Sequence, residues 1–306
     1  MALIILKQAV IMLLLILLGM LCRKIGMLSD QGVKDLSALV LQVVNPVVIL
    51  MAYRRELEMA LVKNLLWALL LSALAMAAGI LAARLLLHPK DAGKTAIARV
   101  SAVYSNCGFM GIPLVNALLG YEGVFYLTAF LTVFNVLVWT HGVMTVSGQR
   151  SFRSLMKVLK SPAILAVAAG MLIFFLQIPL PKLLMDTLSH ISNMNTPLAM
   201  LAAGATIMQT NLGRAVRQPQ HYWVAAVKLL LLPLLALLLF LPLPVASIVK
   251  TTVVLAMAAP TAVTCTLQAI HYKQDANYAA ELFAMTTLLS VITLPCVGIL
   301  LEKVEI

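Results

Sequence analysis

The run Ser105-Asn106-Cys107-Gly108-Phe109-Met110-Gly111-Ile112-Pro113 sits inside a long apolar stretch and puts an asparagine, two glycines and a proline within nine residues. An apolar helix entering from 97–104 and leaving through 114–119 cannot pass this run intact. Glycine loosens the backbone there, and proline removes a donor and collides with the carbonyl four residues back. A shift of 155 residues carries Ser105-Asn106 onto Pro260-Thr261, again in mid-segment, within Met257-Ala258-Ala259-Pro260-Thr261-Ala262-Val263-Thr264. Paired interruptions at matching places in two halves of an apolar chain point to a binding site built from discontinuous helices.

Composition says which solvent those helices meet. Of the 306 residues, 62% are hydrophobic and 11% charged, and the mean hydropathy is +1.02. A soluble domain is about half apolar and about a quarter charged, so this chain is expected to be built for lipid. At about 20 residues per membrane crossing, no sizeable water-soluble domain is left over. The formal charge of +11 invites a nucleic-acid partner, but the basic residues lie in short connectors, where orientation signals belong. No nucleic-acid partner is expected. Cys22, Cys107, Cys265 and Cys296 fall in or beside apolar segments without a C-x-x-C pair, which argues against metal or disulfide use. The N-terminal apolar run is expected to be the first span rather than a signal peptide, since no small-residue cleavage site precedes Arg23-Lys24.

Ten apolar segments follow from the pattern, at about 3–22, 33–52, 64–87, 95–119, 121–146, 160–178, 187–209, 222–241, 247–270 and 277–301. In lipid every backbone group needs an internal partner, so all are expected to be helices. The longest polar stretch, near 147–159, divides them into a first repeat at 1–146 and a second at 160–306. With the N-terminus outside, fifteen of the 22 Lys and Arg residues fall on the cytoplasmic side. The positive-inside rule then predicts both termini outside a cell (inner) membrane and the 147–159 connector inside. Arg54-Arg55 is the exception on the outer side. Five spans per half invert the second half against the first. Asn45-Pro46 and Thr196-Pro197 mark the second and seventh segments, and Asn135 falls opposite Ser290 at the same 155-residue shift. The predicted fold class is an all-α membrane protein, an inverted five-plus-five repeat with broken, crossing fourth and ninth helices.

The stretches 105–114 (Ser-Asn-Cys-Gly-Phe-Met-Gly-Ile-Pro-Leu), 197–204 (Pro-Leu-Ala-Met-Leu-Ala-Ala-Gly), 228–233 (Lys-Leu-Leu-Leu-Leu-Pro) and 290–295 (Ser-Val-Ile-Thr-Leu-Pro) resemble the auxin efflux carrier family, which holds the plant PIN carriers and many bacterial organic-acid carriers. The first stretch is specific, and together they cover nearly the whole chain. The resemblance implies a scaffold of helices 1, 2, 6 and 7, a mobile unit of helices 3–5 and 8–10, and a substrate site where helices 4 and 9 cross. It implies an auxin-like or malate/malonate-like acid as substrate, and a homodimer through the scaffold helices is a further partner to look for. Two departures stand out. The long cytoplasmic loop of many plant members is absent, and Ser105 stands where plant members place a proline, while Pro260 keeps the counterpart.

Each candidate residue has a chemical role and a plain structural alternative. Where a helix breaks in mid-membrane, its second half exposes free N–H groups and a positive dipole end, and two such ends suit a carboxylate. Asn106 and Thr261, with Ser105 and Pro260 beside them, are expected to frame that site; alternatively their side chains only satisfy backbone groups freed by the break. Gly108, Gly111 and Pro113 shape the crossover. Pro46 and Pro197 kink their helices, with Asn45 facing either the site or the kink. Asn135 and Ser290 are candidates for substrate contact or for ordinary interhelical bonding. Lys228 and Glu281, ionisable groups inside apolar segments, are expected to pair with each other, with snorkelling as the alternative for the lysine and proton coupling as a further role for Glu281.

The chain has no H-E-x-x-H, G-x-S-x-G or G-x-x-x-x-G-K-[ST] motif, and its five histidines are scattered over segment ends. No catalytic residue, metal or cofactor is assigned. The expectation is a secondary transporter of a small organic anion working by alternating access. A channel, or a membrane-embedded enzyme or sensor with an intramembrane polar site, is the competing expectation.

Overall fold

The computed structural model describes residues 2–89, 91–148 and 160–304, and among these every regular element is helical. The position Gln149, most of the expected 147–159 connector and both terminal residues lie outside the described residues. In chain order the helices are α1 (Ala2–Lys24), α2 (Asp30–Ala52), α3 (Met59–Leu86), α4 (Ala92–Val103), α5 (107–119) and α6 (121–147). They continue with α7 (Pro162–Leu176), α8 (Lys182–Asn193), α9 (Asn195–Met208), α10 (Pro219–Phe240), α11 (Ser247–Ala258), α12 (Val263–His271) and α13 (Ala276–Lys303). Gly120 divides α5 from α6 by adopting φ 62°, ψ −161°, a conformation open to glycine at little cost.

Among the described residues, six helical stretches are long and apolar enough to cross a membrane: α1, α2, α3, the α5–α6 stretch, α10 and α13. α7 and α11 are shorter apolar helices. Helix starts fall earlier than the apolar runs where a polar cap lies upstream. Ser29 Oγ accepts from Gly32 N at 3.0 Å, so α2 begins at Asp30, and Asp275 caps α13 through Tyr278 N at 2.9 Å. Such caps satisfy first-turn donors outside the apolar zone.

Leu66, Leu70 and Leu74 on α3, and Leu230, Leu234 and Leu238 on α10, are all exposed. Fully burying one leucine is worth about 1.5–3 kcal/mol, so stripes of this kind belong against acyl chains. The inside is different. From 249 to 262 every residue is buried, which makes α11 the helix at the centre. With 12 residues and a rise of 1.5 Å each, α11 is about 18 Å long, well short of an apolar layer about 30 Å thick.

Proline punctuation produces a repeated device. Wide π-turns at Val40–Val44, Cys107–Gly111 and Val227–Leu231 each end two residues before a proline, Pro46, Pro113 and Pro233. The ring of proline collides with the carbonyl four residues back, and widening the preceding turn moves that carbonyl aside. Close packing elsewhere depends on glycine. A Cβ on Gly204 of α9 would overlap the backbone of Ile16 on α1, and one on Gly19 would overlap Leu201. These two glycines let α1 and α9 touch backbone to backbone.

Candidate functional site

The two sequence breaks meet. α4 ends at Val103 and α5 starts at Cys107, while α11 ends at Ala258 and α12 starts at Val263. Between them Ser105 and Thr261 form an isolated antiparallel bridge. Asn106 N donates to Pro260 O at 2.7 Å and Ala262 N donates to Tyr104 O at 2.9 Å. Thr261 Oγ1 donates to Ser101 O at 2.8 Å, and Thr261 N donates to Thr286 Oγ1 at 3.1 Å. Lys228 Nζ donates to Ser105 Oγ at 2.6 Å, to Met257 O at 3.2 Å and to Val103 O at 3.5 Å. The carbonyls of Ser101, Val103 and Met257 at the ends of α4 and α11 are thus taken up by side chains, and that of Tyr104 by the opposite segment, as a buried break requires.

On one side of this bridge lies a cavity of about 200 Å³. Its wall includes Ser105, Asn106, Gly108 and Phe109 from the first break, and Ala262, Val263 and Thr264 from the second. Asn45 of α2 and Asn135 and Trp139 of α6 complete the polar part, with Ser161-Pro162 at the start of α7. Among the described residues, no acidic or basic side chain lines it. The first turns of α5 and α12 both face it, and first-turn amides have no acceptor within their own helix. Each such end carries about half a positive charge, so the pair presents about one unit. Asn106 is 4% exposed, and its Nδ2 is buried with no partner.

Five residues singled out from the sequence therefore share one cavity: Asn45, Ser105, Asn106, Gly108 and Asn135. Asn45 Nδ2 donates to Gly108 O at 3.2 Å, and a Cβ on Gly108 would press on that amide at 3.1 Å. Gly108 is needed for this approach. Asn135 Nδ2 donates to Leu131 O at 2.8 Å within its own helix. Thr261 and Pro260 stand behind the wall, with Thr261 fully buried and its hydroxyl spent on Ser101 O. Ser290, opposite Asn135 in the sequence repeat, does not reach the cavity; its hydroxyl donates to Thr287 O at 2.7 Å. Gly111 and Pro113 lie in the turn that re-forms the helix, and Pro197 opens the first turn of α9.

The expected Lys228–Glu281 pair is not formed, and Lys228 does not snorkel. Its side chain is buried completely. Glu281, 2% exposed, faces Arg214 Nε at 3.3 Å and His221 Nε2 at 3.1 Å. The histidine contact has ion-pair distance without hydrogen-bond direction. The reason is axial spacing: Lys228 follows His221 by seven residues on α10, about 10 Å further along the helix.

The sequence pattern passed over several residues. Asn195 donates through Nδ2 to Asn45 Oδ1 at 2.6 Å, and its position directly before Thr196-Pro197 is the signal that could have revealed it. Thr264 lay at the end of the second interrupted run. Trp139 and Ser161 had no signal, because only the tertiary fold brings them to the break.

The family described as "Membrane transport protein" matches residues 4–152 and 144–297. The chain belongs to this family of transporters. It is the auxin efflux carrier family that the motifs resemble. A relative from Methanothermobacter thermautotrophicus, described as an uncharacterized transporter, is 26% identical over 301 residues, covering 94% of this chain and 96% of the relative. A multi-pass membrane transporter accounts for the lipid-type surface, the interrupted helices and the cavity between them.

Proposed function

We propose that this transporter moves a small organic anion, a carboxylate of the auxin-like or malate/malonate-like class, by elevator-type alternating access. One observation carries the substrate class. Two helix N-termini and Asn106, whose side-chain Nδ2 has no partner, belong to the wall of one cavity that no charged side chain among the described residues lines. About one unit of positive helix-end charge is matched by one carboxylate. At about 200 Å³ the cavity is below the roughly 300–1,000 Å³ of drug-sized pockets, which favours a small acid.

The mechanism is proposed from the same geometry. α4 with α5, and α11 with α12, each act as one broken crossing, and α8 with α9 as one more, which gives ten crossings in an inverted five-plus-five arrangement. The scaffold is α1, α2 and α7–α9, and the mobile unit is α3–α6 and α10–α13. The cavity is bounded by α2 and the start of α7 on one side and by the crossover and α6 on the other, so it lies where those units would slide. Asn45, bonded both to Asn195 and to Gly108 O, is a polar link from scaffold to crossover that would have to break in each cycle. Both termini are placed outside a cell membrane, from the basic-residue bias, and a homodimer would cover the outward leucines Leu172 and Leu176 of α7.

Counterflow into proteoliposomes tests the reading. Vesicles preloaded with each of a panel of mono- and dicarboxylates should accumulate the labelled form of the preferred acid in a saturable way. A current without saturation points to a channel, and the absence of flux for every acid removes the anion assignment.

A further inference from the structure

The crossover has a second electrostatic half. Behind the bridge, α4 and α11 end with their carbonyls pointing toward a common point, and each C-terminus carries about half a negative charge. Lys228 Nζ occupies that point. It donates to Met257 O at the end of α11, to Val103 O at the end of α4, and to Ser105 Oγ between them. One ammonium therefore meets about one unit of negative helix-end charge. No carboxylate lies within ion-pair distance of Lys228 among the described residues. Its ionisable neighbours are the thiols of Cys107 and Cys265. The π-turn at Val227–Leu231, set two residues before Pro233, is the local device that holds this lysine on the inner face of α10.

Half-helix C-terminal ends and unwound carbonyls are the groups that bind coupling cations in broken-helix transporters. Here they are already saturated by a side chain. We propose that Lys228 is a built-in cation filling the place where a coupling Na⁺ would bind, so that this transporter moves its anion without Na⁺. The inference rests on the anion site proposed above for its place in the cycle, but the binding chemistry of the lysine is separable from it. Ser105 connects the two halves, since it bonds Lys228 and also lines the cavity. A proline at this position would offer the lysine no side-chain oxygen.

Thermal unfolding of the purified full chain in NaCl and in choline chloride, at equal ionic strength, reads the cation site without any substrate. The parent should unfold at the same temperature in both salts. Lys228→Ser removes the ammonium and leaves three oxygens around a gap, so it should gain a Na⁺-specific rise of a few degrees in Tm. Should Lys228→Ser fail to yield folded protein, Lys228→Gln keeps a donor and brings its own oxygen ligand, and the same Na⁺-specific rise is expected. Lys228→Met fills the gap with an apolar chain and should show no such rise. A Na⁺-specific shift in the parent, or its absence from the Ser and Gln variants, overturns the proposal. In counterflow, replacing Na⁺ by choline should leave the parent's rate within about twofold; dependence on Na⁺ likewise overturns it. Absence of flux for every acid in both salts would remove the anion assignment, while the unfolding comparison would still decide the role of Lys228.

Discussion

Asn106→Ala separates stability from binding in a way few cavity residues allow. The backbone of Asn106 holds the crossover: its N–H donates to Pro260 O, and its carbonyl accepts from Met110 N at 2.9 Å and Gly111 N at 3.1 Å. Alanine keeps all three bonds. The side-chain Nδ2 has no partner among the described residues and is buried, so removing it deletes an unsatisfied donor, whose burial costs about 1–3 kcal/mol. Stability should stay level or rise. Binding should move the other way. A hydrogen bond to a charged group contributes about 1.5–3 kcal/mol, which is about one to two decades in affinity. Titrating the preferred acid from the counterflow panel against purified parent and variant, by calorimetry and by thermal shift, reads both quantities on one sample. A variant that binds its acid as tightly as the parent would place the substrate elsewhere. A variant that unfolds well below the parent without ligand would show that the amide has a structural partner after all.

Thr261→Ala should do the reverse, because its hydroxyl bonds Ser101 O in a fully buried position; a loss of about 1–3 kcal/mol in stability is expected, with little change in affinity once the protein is folded. Denaturation of the purified variant checks the first part, and titration of the acid checks the second. Glu281→Gln should lower stability, read by denaturation, by an amount between that of an exposed pair, about 1 kcal/mol or less, and that of a buried one, about 3–5 kcal/mol, since Arg214 is half exposed. Reversing the charges of Lys228 and Glu281 together should not restore the loss. Cysteines introduced at Gln149 and at the C-terminus should label from opposite sides of the membrane with an impermeant thiol reagent; same-side labelling contradicts the proposed orientation.

The lipid-type composition, the helical character and the two interruptions are legible one residue at a time. Mean hydropathy is a sum, and glycine and proline act on the backbone within one turn of themselves, so Ser105–Pro113 and Pro260-Thr261 announced the breaks without a fold. Asn45, Ser105, Asn106, Gly108 and Asn135 could be named from the same local chemistry, and the cavity holds them all. Pairings were another matter. Lys228 and Glu281 looked alike as ionisable residues in apolar segments, yet the first donates to carbonyls at two helix ends and the second faces Arg214 and His221. Thr261 and Thr264 are equally polar in sequence, and only the direction of the chain after Pro260 puts one behind the wall and the other on it. Trp139 and Ser161 reach the cavity from distant helices. Sequence determined which residues carry charge, hydrogen bonds or freedom at φ. The tertiary structure alone decided which of them meet, because helix ends, buried carbonyls and a lysine stem find partners by distance in space and not by position in the chain.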